Sequence, residues 1–286
     1  MIKHFTSLCL IFLISYNVYA QFGYGDPDDI RALKKRTLLV ELKEPDKKTV
    51  KKYRKRNQEK LDTYLDNIDN YNESIKLAFT ENWGLSKNVK FVSFEEIEEI
   101  SDDKNRKDQF GYFKTYKRNR SMAGNLDENF YKIGLTNLKK PIYSFQSKPF
   151  SDFKKADAIV VVQQIRNYLN MQIKKDKENL RRRDLRQMIE ERTKKLKNKM
   201  LYINEDLVSS RFKRKMSSVY SYDYKIVSKS KIDEAIVDKT ENIAYVRSIP
   251  IAQTSHPDIK YSGERIYVQI FINAETGKIL ANAGRS

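Results

Sequence analysis

Ser-x-x-Lys spacings, a loop histidine and a run of carboxylates are the features of this 286-residue chain that could do chemistry. Ser151–Lys154, Ser210–Lys213 and Ser228–Lys231 each put a lysine within one helical turn of a serine, the spacing of an activated acyl-transfer nucleophile. The Ser-Asp-Asn and Lys-Thr-Gly companions of that arrangement are missing, and Glu275-Thr276-Gly277-Lys278 reads as a hairpin turn. With 56 Lys and Arg in the chain, chance accounts for the spacings, and the motif is rejected. His256, in QTSHPD, has no motif partner around it and reads as an incidental loop residue rather than a general base.

Glu95, Glu96, Glu98, Glu99, Asp102 and Asp103 could bind calcium or form an acid/base pair, yet the glycine-centred calcium loop is missing. They read better as one solvated helix face. Nor is there a glycine-rich phosphate loop, so no cofactor and no metal site is expected. The one remaining constellation is basic. Lys174 to Lys199 holds twelve Lys or Arg against five acids, centred on Arg181-Arg182-Arg183. Lys174, Lys175, Arg181, Arg182, Arg183 and Arg186 are the candidate anion contacts, able to track a phosphate or glycan backbone. No aromatic residue lies in that stretch to stack bases, so sequence-independent contact is expected. The bland alternative is a surface helix with charges paired at i and i+4, such as Glu190–Lys194 and Glu191–Lys195.

The elements that would hold these residues repeat. VKFVSFEEIEEISDDK (89–104) and YKIVSKSKIDEAIVDK (224–239) align without a gap, with seven identities that include Ser93/Ser228 and Ile97/Ile232. The acidic run is not kept: its six positions become Ser230, Lys231, Asp233, Glu234, Val237 and Asp238. In both windows a short strand runs into a serine placed to cap a helix. The flanks repeat as well. LLVE (38–41) matches LYIN (201–204), FGYFK (110–114) matches IAYVR (243–247), and each copy ends in a hairpin. The second hairpin, 265–283, alternates Ile266, Val268, Ile270 and Ile272, with Gly277 at a turn position that needs positive φ.

The expected fold is therefore mixed α/β, in two similar modules. The first spans 21–150, with a loop at 21–29 and a long helical insertion at 46–83. The second spans 151–286 and is preceded by one long basic helix at 152–200, its thin half protruding or pairing with the charged helix of the first copy. Residues 1–20 have the layout of a secretory signal peptide: Lys3, a short apolar run, and Val18-Tyr19-Ala20 at the cut. That run is too short to span a bilayer, and its removal takes away Cys9, the only cysteine, and with it any disulfide or thiol chemistry. A formal charge of +18 favours anionic partners such as acidic glycans, lipid head groups or nucleic acid.

The element order of 201–283, strand, helix, YKIVSKSKIDEAI, IAYVR and the YVQIFINAETGKILAN hairpin, resembles the small α/β domain of bacterial envelope proteins. Examples are the TolB amino-terminal domain and the curli-secretion lipoprotein. Residues 36–145 resemble the same plan more loosely. The start YGDPDDIRALKKRTLLVEL is also similar to exported bacterial proteins, a likeness that implies no activity. The first resemblance implies a non-catalytic, exported envelope protein, periplasmic or associated with the outer membrane, that binds a protein partner or assists assembly. This chain lacks the acylated cysteine of the lipoprotein members. An anionic-polymer binder acting through the basic helix is the alternative, and a cell-envelope hydrolase using carboxylates is the third reading.

Overall fold

The computed structural model describes residues 25–117, 129–147, 153–251 and 266–285. The expected signal segment, His256 and Ser151 fall outside them. The fold is mixed α/β, with two five-stranded sheets in two compact units that divide at Asp176/Lys177.

The first unit opens with a helix where the sequence reading placed a loop: α1, Pro27–Lys35. Asp26 accepts from the Asp28 N–H and Asp29 reaches back to the Asp26 N–H, so a capping box and Pro27 at the first position start the helix. Strand β1 is Thr37–Glu41. The expected helical insertion is two helices, α2 (Lys47–Arg56) and α3 (Gln58–Asn82), because Asn57 is extended between them. Its N–H donates to the Tyr53 carbonyl, and its side chain accepts from Lys60 N–H at 2.9 Å, ending one helix and capping the next. Strand β2 (Asn88–Val92) and helix α4 (Phe94–Asp102) follow, with Ser93 accepting from Glu96 N–H as its spacing predicts. Strands β3 (Phe110–Lys117), β4 (Asn129–Leu135) and β5 (Tyr143–Ser147) complete a sheet of order β2-β1-β3-β4-β5. The first three are parallel and the last two antiparallel.

The long basic helix expected at 152–200 is also two helices, and its halves belong to different units. Helix α5 (Lys155–Lys177) closes the first unit, and its residues Ala156 to Ile165 are all buried. Asn179 then turns left-handed at φ 49°, and α6 (Arg182–Leu196) begins the second unit. Asn tolerates that conformation better than most residues, and Asp184 accepts from the Arg181 N–H at 2.8 Å to restart the helix. The module boundary expected at 150/151 thus moves to the far end of α5. Helix α6 does not protrude: Leu196 is buried, and Thr193 Oγ1 donates to the Leu280 carbonyl in its own unit.

The second sheet contains β6 (Met200–Asn204), β7 (Tyr224–Val227), β8 (Ile243–Ile251), β9 (Ile266–Asn273) and β10 (Ile279–Arg285). Its order, β7-β6-β8-β9-β10, and its pattern of parallel and antiparallel pairs are those of the first sheet. A short 3-10 turn (Glu205–Leu207) and helix α7 (Ser210–Val219) lie between β6 and β7; α8 (Lys229–Val237) follows Ser228, which accepts from Lys231 N–H. The three sequence matches interlock in register. Leu38 faces Val89 and Gly111; its counterpart Leu201 faces Tyr224 and Ala244, the residues that the gapless alignments assign. Even the hairpin entry repeats, as Thr136 N–H to the Phe110 carbonyl and Ala274 N–H to the Ile243 carbonyl.

In the first unit α3 lays Ile68, Tyr71, Ile75 and Phe79 on the sheet face that carries Phe113 and Tyr131, with Phe79 against Phe113 at 4.7 Å. Each such aliphatic or aromatic side chain, fully buried, stabilises by about 1.5–3 kcal/mol. Helix α4 covers the other face through Ile97 and Ile100, against Leu39, Val92 and Tyr112. Tyr112 lies across Gly134 on the neighbouring strand; a Cβ there would sit 2.8 Å from the Tyr112 hydroxyl, so only glycine admits the ring. In the second unit α6 and α7 contribute Leu196 and Met216 to a core with Leu201, Ile203, Ala244 and Leu280.

Candidate functional site

The most buried carboxylate of a β1–β3 end is Glu41, whose side chain is 5% exposed. It lies at the carboxyl end of β1, between the parallel neighbours β2 and β3, where open α/β sheets commonly place ligands. Its oxygens are already taken. Thr115 donates its N–H to Oε2 at 2.6 Å and its hydroxyl at 3.0 Å, and Lys43 closes an ion pair with Oε1 and also reaches the Thr115 hydroxyl. Asn72 on α3 fixes Lys43 from both sides, accepting from its N–H at 2.8 Å and donating to its carbonyl at 2.9 Å. Burial first, then neighbouring Tyr131 and the Glu41 carboxylate, push the Tyr71 phenol well above its usual range, so it stays protonated. At the positions of Glu41 and Thr115 the second copy has uncharged Asn204, which caps the 3-10 turn, and Ser248, which donates to Gln269 at 2.7 Å. The sequence signal was a charged residue ending the apolar strand LLVE.

The acidic run on α4 is a solvated face with local partners. Glu96 pairs with Lys90 and Glu98 with Lys114, both at 2.6 Å. Among the described residues no cluster of His, Cys, Asp or Glu could hold a metal ion. Of the Ser-x-x-Lys pairs, Ser228 spends its hydroxyl capping α8 and Lys231 pairs with Glu234, which raises the lysine pKa. Ser210 and Lys213 sit on exposed α7.

The predicted anion-binding residues are divided. Lys174 and Lys175 lie on α5 in the first unit, while Arg181, Arg182, Arg183 and Arg186 surround the start of α6 in the second. All six are exposed, but Lys174 and Arg186 already have interactions, and Asp184 sits among the arginines. The Glu190–Lys194 and Glu191–Lys195 pairs do not close; Glu191 accepts from Gln187 at 3.2 Å instead.

A denser basic surface lies on α2. Seven of its ten residues are Lys or Arg, all exposed, no acid lies within it, and among the described residues no ion pair engages any of the seven. Helical spacing puts Lys47, Lys51, Arg54 and Lys55 on one side, where with Pro45 and Val50 they line a shallow depression of about 360 Å³. The opposite side anchors the helix: Tyr53 meets Tyr64 of α3 edge-on at 6.0 Å, and the Tyr64 hydroxyl accepts from Asp46 N–H. Asp46 caps α2, accepting from Thr49 N–H at 2.8 Å and from the Thr49 hydroxyl at 2.7 Å; these bonds hold its carboxyl below the usual range. The run KKTVKKYRKR was visible in the sequence as charge. What the sequence hid is that Asn57 cuts it from α3 and leaves it short and unpaired.

Compared with protein-family models, curated proteins and solved structures, the chain finds no match. Among the described residues no helix is long and apolar enough to cross a membrane.

Proposed function

We propose that the protein is a non-catalytic exported envelope protein that binds an anionic polymer, an acidic glycan or nucleic acid backbone, through α2. The observation that carries this reading is the seven exposed, unpaired cations of a ten-residue helix with no acid among them. Cations in surplus over local acids are attracted to polyanions and release condensed counterions on binding. The exported setting rests on the signal-like start and on the resemblance to envelope α/β domains. A binding rather than hydrolytic role is supported by the Glu41 carboxylate, whose oxygens are held by Thr115 and Lys43. The resemblance alone would favour a protein partner; the unpaired charge of α2 shifts the weight to a polymer.

The test is titration of residues 21–286 against a polyuronate and a single-stranded oligonucleotide at several salt concentrations. Four contacts, from Lys47, Lys51, Arg54 and Lys55, predict an oligonucleotide slope of about −2.8 in log K against log salt. Replacing all four by Gln should remove most of that slope, whereas Arg181, Arg182 and Arg183→Ala should remove less. Binding that ignores salt, or that is unchanged by the α2 replacements, would sink the reading.

A further inference from the structure

The second unit carries a surface of different character, independent of α2. Leu207, on the 3-10 turn, is 55% exposed, and Phe212, in the first turn of α7, is 41% exposed. They flank the Ser209 cap, whose hydroxyl accepts from Phe212 N–H at 3.2 Å. Around Phe212 stand Arg211, Lys213, Arg214 and Lys215, all exposed, and among the described residues no ion pair engages any of them. Glu205 and Asp206 beside Leu207 are the opposing charges, two against four. Helical spacing continues the Phe212 stripe inward to buried Met216, while Arg211 and Lys215, one turn apart, line the flank next to Phe212.

We infer that this face docks the second unit on a bilayer surface bearing anionic head groups, with Leu207 and Phe212 entering the interface between cations. A protein partner would require a matched surface of some 1,000 Å² or more. Two apolar side chains projecting from a turn and a helix start, ringed by flexible cations, need no such matching. A bilayer offers apolar depth beneath a layer of negative charge, which suits both components at once. Leu207 and Phe212 are about half exposed, so sinking the remainder accounts for about a ten-fold gain in partitioning or more. Each cation near the charged surface adds about five-fold.

The experiment is co-sedimentation of residues 21–286 with phosphatidylcholine vesicles, with and without phosphatidylglycerol. It is run in a background of Lys47, Lys51, Arg54 and Lys55→Gln, which removes any contribution from α2. Expected is binding to the phosphatidylglycerol vesicles that drops about ten-fold or more in Leu207→Ser/Phe212→Ser, and in steps for Arg211→Gln and Lys215→Gln. Phe212→Trp reports insertion without removing the apolar group: its emission should shift to the blue on those vesicles. The inference is overturned if binding vanishes in the α2 background, if the Ser variant binds unchanged, or if the tryptophan does not shift. It is also overturned if the wild type forms a dimer in the ultracentrifuge that the Ser variant abolishes, since the face would then serve self-association.

Discussion

Replacing Glu41 by Leu should destabilise the first unit by about 3–5 kcal/mol, the cost of removing one partner from a buried, hydrogen-bonded ion pair. The structure shows what is left behind. Thr115 loses the acceptor of both its N–H and its hydroxyl, and Lys43, still clamped by Asn72, keeps its ammonium beside an apolar side chain. The triple variant Glu41→Leu/Lys43→Met/Thr115→Val removes the stranded charge and hydroxyl together, so most of the loss should return. The backbone N–H at position 115 still lacks an acceptor, leaving a residual cost of about 1–3 kcal/mol. Urea unfolding followed by tryptophan fluorescence isolates this unit, because Trp83 is the only tryptophan of the chain and is buried there. At about 2 kcal/mol per molar urea, Glu41→Leu should lower the midpoint by about 1.5–2.5 M. A triple variant as unstable as the sum of its single variants would refute the reasoning, as would a Glu41→Leu loss below about 1 kcal/mol.

Two further outcomes follow from the caps. Ser93→Ala and Ser228→Ala remove equivalent caps of α4 and α8, and each should cost about 1 kcal/mol; thermal unfolding in which only one matters would show that the copies have diverged in this role. The Asp46 carboxyl is held below its usual 3.8, so its contribution to α2 is complete above that value and is lost as pH falls through the depressed one. Protection factors for amide exchange across Lys47–Arg56, with the intrinsic pH dependence of exchange divided out, should therefore hold down to about 3.8, with a flat profile in Asp46→Asn; fraying that begins well above 3.8 would contradict the capping geometry.

Local rules reached far into this chain. The serines of the repeated window cap helices, the apolar strands pair in the register the alignment implies, and Gly277 adopts φ 66° in the closing turn. These depend on short-range hydrogen bonds, on period, and on backbone freedom, all of which are written in neighbouring residues. Helix α1 was missed although its capping box and Pro27 were in view, because the Gly-Asp-Pro-Asp-Asp turn signal and the helix-start signal use the same residue types. The breaks at Asn57 and Asn179 were missed for a related reason: charged residues run through both, and helical period does not record a change of direction.

What the sequence by itself determined was the class of fold, its doubling, and the abundance of positive charge. Only tertiary structure decided which charges are spent inside. Asn179 separates Lys174 and Lys175 from the arginines of α6, packing gives α5 to the first unit, and the network of Thr115 and Lys43 closes over Glu41. Among the described residues the cations of α2 and α7 close no ion pair, because the few acids near them, Asp46, Glu205 and Asp206, are outnumbered. Whether a charge has a partner depends on residues tens of positions away, and that distance becomes contact only when the chain has packed.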